Sequence, residues 1–156
     1  IVDEKKDLSS IIKSKEYYNF IIERYPNTDF ASDAKFKLLL IDSILASKEI
    51  YLGKYYLKKK KWIPAINRFR TVVDKYDRTI YVQEALHRLV EVHFTIGLKE
   101  ESKKYAKLLG YNYKSSKWYE KSYAVFNKDY EKKRIKREKK KKSFIKKAKS
   151  LFNLDE

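Results

Sequence analysis

His87 and His93 are the side chains whose ordinary pKa suits proton transfer near neutral pH. Six residues apart on a helix, they point to different faces. His93 is expected to fill a tyrosine-like core slot, and His87 to pack or cap. A metal site would need further ligands converging from elsewhere. Glu84, Glu91, Glu100 and Glu101 fall where helices are expected, so a solvated face or pairing with Lys and Arg one turn away accounts for them. Cysteine and methionine are absent, which removes thiol nucleophiles, disulfides and cysteine-based zinc clusters. There is no glycine-rich phosphate loop and no nucleophile elbow. The expectation is no catalytic residue, no metal and no cofactor. Function must then lie in binding.

Two stretches have the chemistry for binding. The first runs Trp62-Ile63-Pro64-Ala65-Ile66-Asn67-Arg68-Phe69-Arg70. If Ala65, Ile66 and Phe69 face inward, then Asn67, Arg68 and Arg70 project outward from one short helix. Arginine offers a planar fork to a carboxylate, which lysine does not. Of 7 Arg against 31 Lys in the chain, three fall in or just beyond this helix: Arg68, Arg70 and Arg78. Trp62, Asn67, Arg68, Arg70, Asp74 and Arg78 form the candidate partner-binding set, with a plain solvated basic face as the alternative.

The second stretch is the tail. The net charge is +17, and between Lys132 and Lys149 twelve basic residues meet one acid, Glu138. Phe144, Ile145, Ala148, Leu151 and Phe152 follow at helical spacing, which describes a basic amphipathic helix. Lys139, Lys140, Lys141, Lys142, Phe144, Lys146 and Lys147 are the candidates for contact with a membrane surface or an acidic partner. A solvated extension of the preceding helix is the other main reading. Nucleic acid is the least favoured partner, although phosphate binding is largely electrostatic. The lysine bias itself can reflect an AT-rich genome.

These residues must be positioned by helices. The 156 residues include 3 Gly and 2 Pro, too few turn formers for a sandwich or barrel, and strong helix formers dominate. The fold class is all-α. Periodicity predicts helices over 13–25, 32–60, 63–76, 82–96, 100–109 and 117–151. Breaks are expected at Pro26–Asp29, Lys61-Trp62, Asp77–Thr79, Gly97 and Gly110–Asn112. The longest aliphatic run, Leu38–Ile41, is far short of a transmembrane span, which takes about 20 residues. The first residue is Ile rather than Met, so a cropped or processed chain is expected.

The helices repeat. Tyr25, Tyr76 and Tyr113 recur at spacings of 51 and 37. Phe30, Tyr81 and Trp118 follow the same offsets, as do Ala34, Ala85 and Ser122, and Leu38, Leu89 and Phe126. The unit resembles the tetratricopeptide repeat, a helix–turn–helix of about 34 residues. Leu52, Gly53 and Tyr56 fit a first helix, and Ala65, Phe69 and Val72 its second. Gly53 and Ala65 are the small residues where backbones approach. Leu86, Leu89, Val90 and His93, then Ser102, Ala106 and Leu109, repeat the pattern. The longer spacing exceeds one repeat by about one helix, so 32–60 is read as one long helix shared by two repeats. Tyr18, Tyr56, Tyr76, Tyr81 and Tyr113 sit at packing positions, whereas Tyr17, Tyr55 and Tyr111 are free to line a groove. The architecture is a tetratricopeptide-repeat α-solenoid over 1–127, followed by a basic tail at 128–156.

Four stretches carry a narrower resemblance: RYPNTDFASDAK (24–35), GKYYLKKKKWIPAINRFRTVVDKY (53–76), EALHRLVE (84–91) and LGYNYKSSKWYEKSY (109–123). With 1–7 they follow, in order to about Asn127, the BamD family, the tetratricopeptide lipoproteins of the outer-membrane β-barrel assembly machinery. The chain is most similar to the alphaproteobacterial branch. The resemblance implies a five-repeat scaffold on the periplasmic face of the outer membrane, tethered to the inner leaflet by an N-terminal lipidated cysteine. This chain would correspond to about repeats three to five. The family's first repeats engage unfolded outer-membrane proteins, and its C-terminal repeats dock the membrane-proximal POTRA region of BamA. Asn67-Arg68 matches the stretch that faces BamA, which makes Arg68 the leading contact. The tail's role is not implied by the resemblance. The rival readings are a generic repeat adaptor or nucleic-acid-binding protein using the basic tail, and another periplasmic repeat protein.

Overall fold

The computed structural model describes residues 9–127, together with 136, 139, 140, 142–145 and 147. Six helices follow in chain order: α1 (Ser9–Arg24), α2 (Asp29–Lys58), α3 (Trp62–Lys75), α4 (Val82–Thr95), α5 (Lys99–Asn112) and α6 (Lys117–Phe126). Among the described residues there is no strand. The fold is a tetratricopeptide-repeat α-solenoid.

Local chemistry sets the helix ends. Thr28 caps α2, its Oγ1 accepting from the Ala31 N–H at 3.2 Å, and Asp29 adds a negative charge at that N-terminus. Ser116 caps α6 in the same way, accepting from Tyr119 N–H at 3.1 Å. Pro64 lies in the first turn of α3, where its missing N–H breaks no helical bond. Beyond α4, Gly97 turns left-handed with φ 87°, which glycine adopts without strain.

Helix ends shift by up to four residues from expectation: α1 opens at Ser9 rather than at 13, and Asp29 and Trp62, expected in breaks, are the first residues of α2 and α3. Two differences go further. Gly110–Asn112 does not break the chain, because α5 runs through to Asn112. The glycine leaves room for the Tyr119 ring of α6, since a Cβ there would stand 2.8 Å from Tyr119 Cε2. The last helix does not run from Lys117 to Leu151. It ends at Phe126, where Asn127 is extended at φ −133° and ψ 98°. Helical backbone reappears at 136, 139, 140, 142–145 and 147.

α2 is one unbroken helix of 30 residues, about 45 Å long, packed on α1 along one part and on α3 along another. The shared helix is therefore present. α4 then packs on α3 and α5, and α6 on α4 and α5, so each helix meets its sequence neighbour and α4 and α6 also meet directly. The core threads the stack. Ala46, Ile50, Ala65, Ile66, Phe69, Val72, Ala85, Leu89 and Val92 join α2, α3 and α4. Val82, Leu86 and Leu109 continue it into α5, with Val73 and Tyr105 packed against both groups. Burying each large member removes apolar surface worth about 1.5–3 kcal/mol. Ala34, Ala85 and Ser122, at the repeat offsets, are each at most 1% exposed, so the three-fold small-residue slot is real.

Candidate partner-binding surface

α3 buries Ala65, Ile66, Phe69 and Val72 and turns its other face outward. Asn67 and Arg70 are exposed, as the sequence pattern requires. Asn67 and Arg68 line one polar hollow of about 280 Å³ with Tyr56, Ile63, Pro64 and Thr71. Arg68 is tethered there. Its Nη1 donates to both carboxylate oxygens of Glu49 on α2, at 3.2 and 3.3 Å. Both contacts use Nη1, so the two-nitrogen fork that arginine offers a carboxylate is not engaged by Glu49.

The other expected contacts are dispersed. Trp62 is half-buried and packs against the α2–α3–α4 core. Arg70 and Asp74 are exposed on α3, and Arg78 is exposed in the turn before α4, all outside the hollow's lining. In the tail, Lys139, Lys140, Lys142 and Lys147 are exposed, and Phe144 is 73% exposed. Lys141 and Lys146 lie outside the described residues.

The tyrosines sort as their positions predict. Tyr17, Tyr55 and Tyr111 are 70%, 49% and 90% exposed, whereas Tyr18, Tyr56, Tyr76, Tyr81 and Tyr113 are half-buried. Both histidines are buried. His93 Nδ1 donates to the Leu89 carbonyl at 2.8 Å, and its ring lies 5.2 Å from Tyr105.

His87 belongs to a polar network that sequence reasoning did not assemble. Its Nδ1 shares a hydrogen bond with Ser122 Oγ on α6 at 2.9 Å, and its Nε2 lies 3.3 Å from Glu91 Oε1. Arg88 donates to Glu91 at 2.7 Å and to Glu84 at 3.4 Å, and Lys54 on α2 lies 3.5 Å from Glu84. The network thus spans α2, α4 and α6. Burial opposes the Glu91 charge, but His87 and Arg88 outweigh it and hold the carboxyl at about 2. Glu100 and Glu101 make the expected surface pairs with Lys103 and Lys104. The available signal was Ser122: a hydroxyl in a slot otherwise filled by alanine must find a partner when buried. Among the described residues no group of His, Asp and Glu could hold a metal ion.

Stacked helix pairs, a continuous core and a polar hollow on one helix define a helical-repeat protein built for presentation of surfaces. The chain belongs to the YfiO outer membrane lipoprotein family, whose profile matches residues 1–109. It is 45% identical over 125 residues to the outer membrane protein assembly factor BamD of Rickettsia prowazekii (strain Madrid E), covering 80% of this chain and 50% of that protein. It is 39% identical over 127 residues to BamD of Caulobacter vibrioides, covering 81% and 42% respectively. BamD of Xylella fastidiosa (strain 9a5c) is 26% identical over 95 residues. The chain spans half or less of the length of these relatives. The resemblance carried by the four stretches, to the alphaproteobacterial side of the BamD family, is borne out. The family's description places it at the outer membrane. No helix among the described residues is long and apolar enough to cross a membrane.

Proposed function

We propose that this chain is a non-enzymatic scaffold in outer-membrane protein assembly. It docks the periplasmic POTRA region of a BamA barrel subunit through the outward face of α3, with Arg68 reaching a carboxylate on that partner. The full protein would stand at the periplasmic face of the outer membrane on a lipid anchor, and unfolded outer-membrane proteins would meet its preceding repeats. The relatives' shared name, outer membrane protein assembly factor, supports the assembly role. The observation that carries the docking site is Arg68 itself. It stands half-exposed beside a polar hollow, oriented by Glu49, within the longest stretch of family resemblance.

Titrating this chain with the POTRA domains of the matching BamA tests the proposal, wild type against Arg68→Glu. The substitution would set a carboxylate against both Glu49 and the partner's acid. Truncating one member of a charge pair that becomes buried costs about 2–5 kcal/mol of binding. Unchanged affinity in a folded variant removes Arg68 from the site.

A further inference from the structure

The second candidate surface is an apolar groove of about 450 Å³ between α5 and α6. Ala106, Gly110, Tyr119, Tyr123 and Phe126 line it, and Lys103 and Lys107, one helical turn apart, stand on its α5 side. The repeat offset of 37 identifies what this groove is. Val82, Leu86 and Leu89 of α4 correspond to Tyr119, Tyr123 and Phe126 of α6. In the earlier repeat these positions are 4%, 1% and 0% exposed. In the later one Tyr123 is 46% and Phe126 37% exposed. The difference is the cover that follows in the chain: Tyr105 and Leu109 of α5, four residues apart, pack on Val82 and Leu86 with Val73 of α3, and Tyr113 and the Trp118 and Tyr119 rings of α6 close the same cluster. Among the described residues no helix takes the corresponding place over α5 and α6.

We propose that the α5–α6 groove receives an amphipathic helix from a partner protein, with large apolar side chains four residues apart and acidic residues flanking them. The shape follows from the way α5 fills the preceding seam. The charge follows from Lys103 and Lys107 at the rim, which stay net positive after Glu100 pairs with Lys103 at 2.7 Å, on a chain of net +17. That charge disfavours the chain's own tail, where Lys142, Lys146, Lys147 and Lys149 surround the apolar residues, and it disfavours a second copy for the same reason. Phe144 and Ile145 of the tail are 73% and 45% exposed. This surface lies apart from the Arg68 hollow, and neither proposal depends on the other.

The test uses the whole chain and two labelled helical peptides of about 16 residues, long enough for a helix to persist. Both carry leucines at i, i+4, i+7 and i+11; one has flanking glutamates, and its twin has lysines. Fluorescence anisotropy is expected to show saturable binding of the acidic peptide, at least about tenfold tighter than its twin. Tyr123→Glu should abolish it, and Lys103→Glu with Lys107→Glu should reverse the preference while leaving the groove's apolar lining intact. Equal binding of the twins overturns the proposal. So does tighter acidic-peptide binding in a Phe144→Glu chain, which would show that the tail occupies the groove. Concentration-dependent dimerisation in sedimentation that Tyr123→Glu removes would assign the groove to a second copy, and would also overturn it.

Discussion

Gly53→Ala tests the seam on which the repeat packing depends. Gly53 lies on α2 against the ring of Phe69 on α3, and that ring is 0% exposed. An added Cβ would stand 2.7 Å from Phe69 Cζ and 2.9 Å from Cδ1, with Cε1 closer still. Comfortable carbon contacts are about 3.5–4.0 Å. The ring is enclosed in the α2–α3–α4 core, so relief requires moving one helix against the other. Overpacking of this kind costs about 1–3 kcal/mol, and the tight contact puts it at the upper end. Alanine's better helix propensity returns about 1 kcal/mol. The net expectation is about 2 kcal/mol of destabilisation, or about 4–8 °C in Tm for a chain of this size. Thermal melts followed by far-UV circular dichroism would measure it. Gly110→Ala is the matched control: its Cβ would meet Tyr119, a half-buried ring with room to swing, and the expected net change is within about 1 kcal/mol. Phe69→Leu in the Gly53→Ala background should recover part of the loss, as a double-mutant cycle reads directly. A Gly53→Ala chain as stable as wild type would refute the close-approach account of this seam.

Three further outcomes are expected. Glu91 has its carboxyl lowered from 4.5 to about 2, so its stabilisation is complete above about pH 4.5 and is lost as pH falls toward 2. Glu91→Gln should therefore be less stable than wild type at neutral pH and show a flatter acid dependence in that window, measured by urea denaturation across pH. At Gly97, φ is 87° and a Cβ would meet nothing within 4 Å, so Gly97→Ala isolates backbone strain. About 1 kcal/mol of stability should be lost, and no loss would mean the turn relaxes. Glu49→Gln should leave Tm nearly unchanged, because a partly exposed pair contributes about 0–1 kcal/mol, yet under the proposed docking it should weaken binding to the POTRA domains severalfold by releasing Arg68. A fall in stability with intact binding would assign Glu49 to the fold instead.

The α-solenoid was legible because each local signal agreed with the next. The breaks expected at Pro26–Asp29 and Gly97 do fall at helix ends, where Thr28 caps α2 and Gly97 turns left-handed beyond α4. The 51 and 37 offsets located the buried slot of Ala34, Ala85 and Ser122, and the excess of one helix located α2. The end of α6 was not legible. Asn127 is followed by lysines and arginines of good helix propensity, and propensity alone says nothing of where the packing that sustains a helix ends. Gly110 was misread as a breaker because its role is set by Tyr119, on a different helix.

The candidate site was legible only in part, for a related reason. Outward residues of α3 follow from its period, but which of them share a surface depends on α2. Glu49 lies nineteen positions before Arg68 in the chain, and helix crossing alone brings them to 3.2 Å. The same holds for His87 and Ser122, thirty-five positions apart. Glu49 sits on the long shared helix, close in sequence to Ile50 and Gly53, which bury the α2–α3 seam. The seam fixes the crossing, the crossing brings Glu49 to Arg68, and Glu49 aims the guanidinium at the hollow. If Arg68 docks as proposed, a loss of packing at the buried Gly53 should therefore weaken that docking as well.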